Sequence, residues 1–292
     1  AVARLVTRKS AFVFFPYDVN LLKYKKQEYY KQAKIPNFEL KAEKYLFKNS
    51  DGILFKGEEY EYVNKKIKIK CPVISFPSYI SKDFLVPINK NKLSKKDGEL
   101  HAVYIGFITE QVGPNSFGLG SWKEFIEGVL KQKIHFHIYT SSYDNLKRLS
   151  SYQLILKNKY FHLNQAMGPR EIVMEISKYD FGLNPCSFDL DIINKEFVSS
   201  GTGNKTASFL EAGIPCVYDI WQTSSLRSME EYGLDFYLSK DNLNEDLKKI
   251  KKMFEIKDNR KIIRGIIKAR KEFTIEKHIY ELDNFLEEIK RK

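Results

Sequence analysis

The stretch Ser199-Ser200-Gly201-Thr202-Gly203-Asn204-Lys205-Thr206 gathers two glycines, small hydroxyl residues and one lysine ahead of an apolar run that ends at Gly213-Ile214-Pro215. The glycines and small hydroxyl residues lead into a helix read over Lys205–Ala212. The first turn of such a helix carries unpaired backbone N–H groups and a positive dipole end, so an anion belongs in front of it. Lys205 adds a compact positive charge there, a combination suited to a diphosphate. The Gly-Lys-Ser/Thr order of a P-loop is missing. A flexible loop capped by Asn204 is the plainer reading of the same pattern.

Three further groups could carry chemistry. Tyr17-Asp18 follows the apolar run Ala11–Phe15, at a strand end where an acid or base facing an acceptor would sit. A turn-forming Asp after Pro16 is the alternative. His135-Phe136-His137 puts two imidazoles on one face of a strand, as a metal site requires; no third ligand is visible, so packing in the sheet or beside a nucleotide pocket is preferred. The C-terminal helices join apolar positions to Lys261, Arg264, Lys268, Arg270 and Lys271, a pattern of a solvated face or of one resting on an anionic bilayer.

The elements that must position these residues follow a βαβ rhythm over 292 residues, enough for about two domains. The class is α/β. Strands are expected at Ala11–Phe15, Gly52–Phe55 and Pro72–Phe76, with a helix around Phe38–Lys48 whose Leu40, Tyr45, Leu46 and Phe47 face a core. Residues 82–99 are polar and turn-forming and read as a linker. Beyond it come strands Ala102–Ile108, Ile134–Tyr139, Tyr160–Leu163, Tyr179–Asn184 and Pro215–Tyr218, with helices between them from about Ser121 to Lys131 and near Tyr143–Leu149, Pro169–Ser177 and Lys205–Ala212. Ile262, Ile263, Ile266 and Ile267, then Ile279, Leu282, Phe285, Leu286 and Ile289, mark helices at the end. The first segment is short beside the second, as in a partial or reduced domain.

Lys+Arg 49 against Asp+Glu 37 gives a net charge of +12, while 43% hydrophobic and 14% aromatic residues exclude a disordered chain. Cys71, Cys186 and Cys216 are too few and too scattered for a disulfide scaffold and fit a reducing cytoplasm. No apolar run approaches a membrane span. The basic excess suits a solvated surface, an anionic lipid surface or a phosphorylated substrate; no zinc-ligand or RNA-recognition pattern points to nucleic acid.

Asn204-Lys205 followed by Phe209-Leu210-Glu211-Ala212-Gly213-Ile214-Pro215 resembles a segment of the GT-B-fold glycosyltransferases, in particular glycosyltransferase family 4. Val103-Tyr104-Ile105-Gly106, His135–Tyr139, Phe161–Glu171, Lys178–Pro185 and Phe273-Thr274-Ile275-Glu276 resemble that family's elements in order, covering Leu100–Ile289 well and Ala11–Ser81 weakly. The resemblance implies a doubly wound, Rossmann-like nucleotide-sugar domain over residues 100–272, a shortened N-terminal α/β domain over 1–85, a linker over 86–99 and a crossing C-terminal helix over 273–292. It sets Gly106 and Thr109 near phosphate or sugar, Tyr139, Gln165, Ala166 and Met167 around the base, Asn184 beside the donor, and Gly203, Asn204, Lys205 and Thr206 at the diphosphate. Ser208 falls where the family usually has a ribose-binding glutamate, and Glu211 lies on another face of the helix.

The expectation is a metal-independent glycosyltransferase without cofactor, moving a hexosyl or related group from a nucleoside-diphosphate sugar to a cell-surface glycan or lipid-linked acceptor. Lys205 and Asp18 are its candidate catalytic residues, and its place is the cytoplasm or the inner face of the plasma membrane. Asp189-Leu190-Asp191 matches a metal motif of the other glycosyltransferase fold, but the flanking order fits the metal-independent one. The second reading is a non-catalytic binding or assembly protein of the same fold, to which Ser208 points. A basic nucleic-acid-binding protein is the third.

Overall fold

The computed structural model describes residues 10–26, 30–31, 34–108, 122–148, 152–185, 193–255 and 260–290. Two parallel sheets carry the fold. The first has the order β1 (Val13–Phe14), β2 (Gly52–Phe55), β3 (Val73–Ser75). The second has six strands: β4 (His101–Ile105), β5 (His135–Thr140), β6 (Phe161–Gln165), β7 (Phe181–Asn184), β8 (Cys216–Asp219) and β9 (Phe236–Leu238). Their order, β6-β5-β4-β7-β8-β9, is the doubly wound one and reverses between β4 and β7.

The strands form where short apolar runs are buried on both faces, as Gly52-Ile53-Leu54-Phe55 and Phe181-Gly182-Leu183-Asn184 are. Helices cover both faces of the larger sheet. Trp122–Lys131 buries Trp122, Phe125, Ile126, Val129 and Leu130 on one side, and Asn204–Ala212 buries Phe209 and Leu210 on the other. Gly182 makes that second contact possible, because a Cβ there would come within 2.6 Å of the Phe209 ring. Gly213, at φ +73°, ends the same helix in the left-handed conformation.

The helix Asn37–Asn49 departs from its expected face. Leu40 and Phe47 are buried, but Tyr45 faces solvent and Glu43 takes the buried position between them. Its carboxylate accepts the Asn20 and Leu21 N–H groups at 2.9 and 2.8 Å, satisfying the start of the short helix Asn20–Lys23. Burial pushes this carboxyl up to about 7.

Residues 82–99 form a fastened strap rather than a loose linker. Leu85, Val86, Ile88 and Leu93 pack on the second sheet's helices at irregular spacing, which periodicity does not reveal. Arg270 bonds the Val86, Leu210 and Glu211 carbonyls together, and Lys92 donates to the Ser177 carbonyl at 2.8 Å. Where the chain crosses between the halves, Ile80 N–H donates to the Phe273 carbonyl at 3.1 Å and Ile275 N–H to the Ile80 carbonyl at 2.9 Å. The final helix, Ile275–Lys290, then returns Phe285 and Ile289 beneath Gly52 of the first sheet.

Candidate functional site

The chain leaves β4 toward β5 and β7 toward β8, in opposite directions, which opens a crevice beyond the carboxyl ends of β4 and β7. Phe107 and Pro185 line it on that side. Tyr17 and Asp18, after β1, and Lys56, after β2, line it from the other. Both sheets therefore aim their carboxyl edges at one cavity of about 380 Å³. A larger hollow of about 600 Å³ lies against β9 and the helices Leu243–Glu255 and Arg260–Glu272. Its walls include Gly233 and the first turn of the helix Arg260–Glu272, at Lys261 and Ile262, but it lies at the β9 edge of the sheet and not where the strand order reverses.

Gly201, Thr202 and Gly203 form the floor of the cleft and lead into the helix Asn204–Ala212. The loop is held from the opposite half. Thr202 donates its hydroxyl to the Lys56 carbonyl at 2.6 Å, and Glu58 N–H donates to the Ser200 carbonyl at 2.7 Å. A Cβ on Gly57 would stand 2.2 Å from that Ser200 oxygen, so only glycine permits the approach. Asn204 spans the halves too, accepting from the Ser78 hydroxyl at 2.7 Å and donating to the Tyr17 oxygen. Gly106, at φ +139°, lets Lys205 lie across the end of β4, where a Cβ would meet the Lys205 Cε at 3.2 Å. The Lys205 ammonium stands 5.1 Å from the centre of the Tyr104 ring.

Lys56 brings a second cation, absent from the sequence reading. Its ammonium lies 3.9 Å over the Tyr17 ring and 3.9 Å from Asp18 Oδ1. Asp18 also faces Lys23, at 3.7 Å, whose ammonium burial pulls below the ordinary lysine range. Glu59 adds a carboxylate to the cavity wall and accepts the Gly57 N–H at 2.6 Å; burial pushes its carboxyl above the usual range. The site thus sets two lysines and a helix N-terminus beside two carboxylates. Lys56 follows an apolar strand as directly as Asp18 nearly does, so the strand-end argument applied to Asp18 finds it as well.

Other expected residues lie elsewhere. Tyr139 is buried in the core, where its hydroxyl meets Tyr179 at 2.8 Å and Glu175 at 3.1 Å. Gln165, Ala166 and Met167 are exposed at the end of β6, two strands away from β4, and do not line the cavity. Asn184 is buried next to Gly203, its amide nitrogen 3.3 Å from where a Cβ on that glycine would stand. Thr206 is buried and accepts from the Tyr218 hydroxyl at 3.2 Å. Ser208 is half-buried on the helix, while Glu211 accepts the Ser81 N–H at 3.1 Å and so braces the crossover. Thr109, Cys186, Asp189 and Asp191 lie outside the described residues.

No protein-family profile and no curated protein sequence matches the chain. Solved structures do. Sucrose-phosphate synthase from Thermosynechococcus elongatus superposes on 99% of this chain and 70% of its own, with TM-score 0.69 and 10% identity. The pneumococcal O-GlcNAc transferase GtfA, in complex with UDP and GlcNAc, covers 99% of this chain and 54% of its own, with TM-score 0.65 and 11% identity. Anabaena Alr3699/HepE, in complex with UDP, covers 98% and 74%, with TM-score 0.65 and 12% identity. All three are GT-B glycosyltransferases. The fold is GT-B. The chain spans about half the length of GtfA, at 54%, and of TarM, at 46%. Among the described residues the second sheet has six strands in doubly wound order and the first has three. Among the described residues no helix is long and apolar enough to cross a membrane.

Proposed function

We propose that the cleft binds a nucleoside-diphosphate sugar and that the chain transfers the sugar to a glycan or lipid-linked acceptor. What supports this reading most is the convergence of the Gly201–Gly203 loop, the helix N-terminus behind it, Lys205 and Lys56 on one cavity at the strand-order reversal. Residues 100–272 form the donor side, residues 1–85 the acceptor side, 86–99 the strap between them and 273–292 the returning helix. The acceptor oxygen forms a bond to the anomeric carbon while the bond from that carbon to the diphosphate oxygen breaks. Charge then builds on the leaving diphosphate, where Lys205, Lys56 and the backbone N–H groups stabilise it without a metal; one such donor is worth about 3 kcal/mol in a water-poor site. Asp18, beside Lys56 and across the cleft from Lys205, takes the proton of the acceptor hydroxyl.

A lipid-linked acceptor would place the chain on the cytoplasmic face of a membrane. Ile263 and Ile267, both well exposed, with Lys261, Arg264 and Lys268 on the same helix, form the surface that would meet anionic lipid. A second reading, a non-catalytic binder, is favoured by Ser208 and by the engagement of Glu211 with Ser81 rather than with the cleft. Calorimetry with UDP, GDP, ADP and CDP, followed by hydrolysis or transfer assays with the matching sugar nucleotide, tests both. Binding with turnover supports the transferase, binding without turnover supports the second reading, and no binding overturns both.

A further inference from the structure

Four of the chain's five histidines lie on one face of the second sheet. Register sets His101, the first residue of β4, beside His135, the first of β5, and their rings are parallel to 8° at 4.4 Å. His137 and His162 are partners in the same way, stacked at 4.1 Å. Hydrogen bonds run diagonally, from His101 Nδ1 to His137 Nε2 and from His135 Nδ1 to His162 Nε2, both at 2.9 Å. The outer nitrogens meet carboxylates: His101 Nε2 lies 2.9 Å from Asp97 Oδ2, and His135 Nε2 lies 2.7 Å from Glu99 Oε2.

One ligand atom each of Asp97, His101 and His135 fall within 4.8 Å of one another. Donor atoms around a tetrahedral zinc ion stand about 3.4 Å apart; Asp97 Oδ2 already lies 2.9 Å from His101 Nε2, and a rotation of the stacked imidazoles is what would bring His135 Nε2 to the same ion. We propose that Asp97, His101 and His135 bind a first-row divalent ion, Zn2+ by preference, with the fourth position open to Glu99 or water. Two imidazoles and a carboxylate are a zinc donor set. The inner nitrogens are engaged by His137 and His162, which leaves the outer Nε2 atoms of His101 and His135 toward the carboxylates and an ion. The side chains of Asp97 and Glu99 are 42% and 37% exposed, which gives an ion a way in from solvent.

The site stands at the amino ends of β4 and β5, and the cleft lies beyond the carboxyl ends. Its ion therefore works as a clamp between the strap and the sheet, apart from any chemistry at the cleft.

The test uses the tag-free full chain with Zn2+ in competition against a chromogenic chelator, Co2+ absorption, and thermal unfolding with and without zinc. One Zn2+ per chain, visible Co2+ bands stronger than those of the aqueous ion, and a raised Tm are expected. Asp97→Ala, at the exposed end of the short helix Ser94–Asp97, and His135→Gln each weaken Zn2+ binding at least about tenfold, while nucleotide binding at the cleft keeps the wild-type value. Zinc affinity unchanged in Asp97→Ala, or Co2+ spectra like the aqueous ion, overturns the proposal. Should His135→Gln fail to fold, Asp97→Ala decides alone.

Discussion

Thr202 donates its hydroxyl to the Lys56 carbonyl at 2.6 Å, so the glycine loop of one sheet is fastened to a strand end of the other. The bond joins the Gly201–Gly203 loop, the diphosphate cradle of the proposed function, with Lys56, the second cation of the cleft. Thr202→Val keeps the shape and removes the donor, leaving the carbonyl without that partner. A loss of about 1 kcal/mol is expected, read as a Tm lower by about 2–4 °C, together with weaker nucleotide binding. An unchanged Tm and affinity would show that the fastening does nothing.

Gly57→Ala tests the same junction by volume. The added methyl would lie 2.2 Å from the Ser200 carbonyl oxygen, and backbone must move to relieve it. The expected result is a folded protein that has lost most of its nucleotide affinity, with unfolding lowered by about 1–3 kcal/mol. Denaturant unfolding and calorimetry on one sample separate the two effects.

Glu43 predicts a pH dependence of stability. Its carboxyl is pushed up to about 7 in the folded chain against an ordinary 4.5, chiefly by burial, with the Leu21 and Asn20 N–H groups opposing. Across that interval the folded state holds more protons than the unfolded one, so stability falls as pH rises through 5 to 7. The contribution is up to about 3 kcal/mol. Glu43→Gln should flatten that part of the curve in denaturant titrations from pH 5 to 8; an identical slope in both proteins contradicts the assignment.

Arg270 holds three carbonyls, those of Val86, Leu210 and Glu211, from a half-buried position. Arg270→Ala leaves them without that donor and frees the strap, at an expected cost of about 3 kcal/mol. Limited proteolysis should then cut within residues 85–93, which the parent protein protects.

Much of this was legible in the sequence because continuous apolar runs such as Gly52–Phe55 leave little choice of element, and Gly213 marks its helix end. Other features needed three dimensions. β9, with three residues at a sheet edge, is too short for periodicity to register. Glu43 occupies a buried position that a pattern of hydrophobes assigns to Tyr45 or Leu46 instead, because its partners are N–H groups 22 and 23 residues away. The imidazole that lies beside His135 is His101, brought there only by strand register. Lys56 is marked as a strand-end residue by the sequence, but its sharing one cavity with Lys205 follows from two sheets facing each other, which no local window contains.

The central claim is that Lys205 and the glycine loop bind a diphosphate. Isothermal titration of the full chain with UDP, GDP, ADP and CDP, without metal, tests it most directly when repeated on Lys205→Ala. One nucleoside diphosphate should bind selectively, and the variant should bind it at least about tenfold more weakly while its Tm without ligand stays within about 2 °C of the parent. Equal affinity in both proteins, or no heat from any of the four with a well-folded parent, would contradict the account.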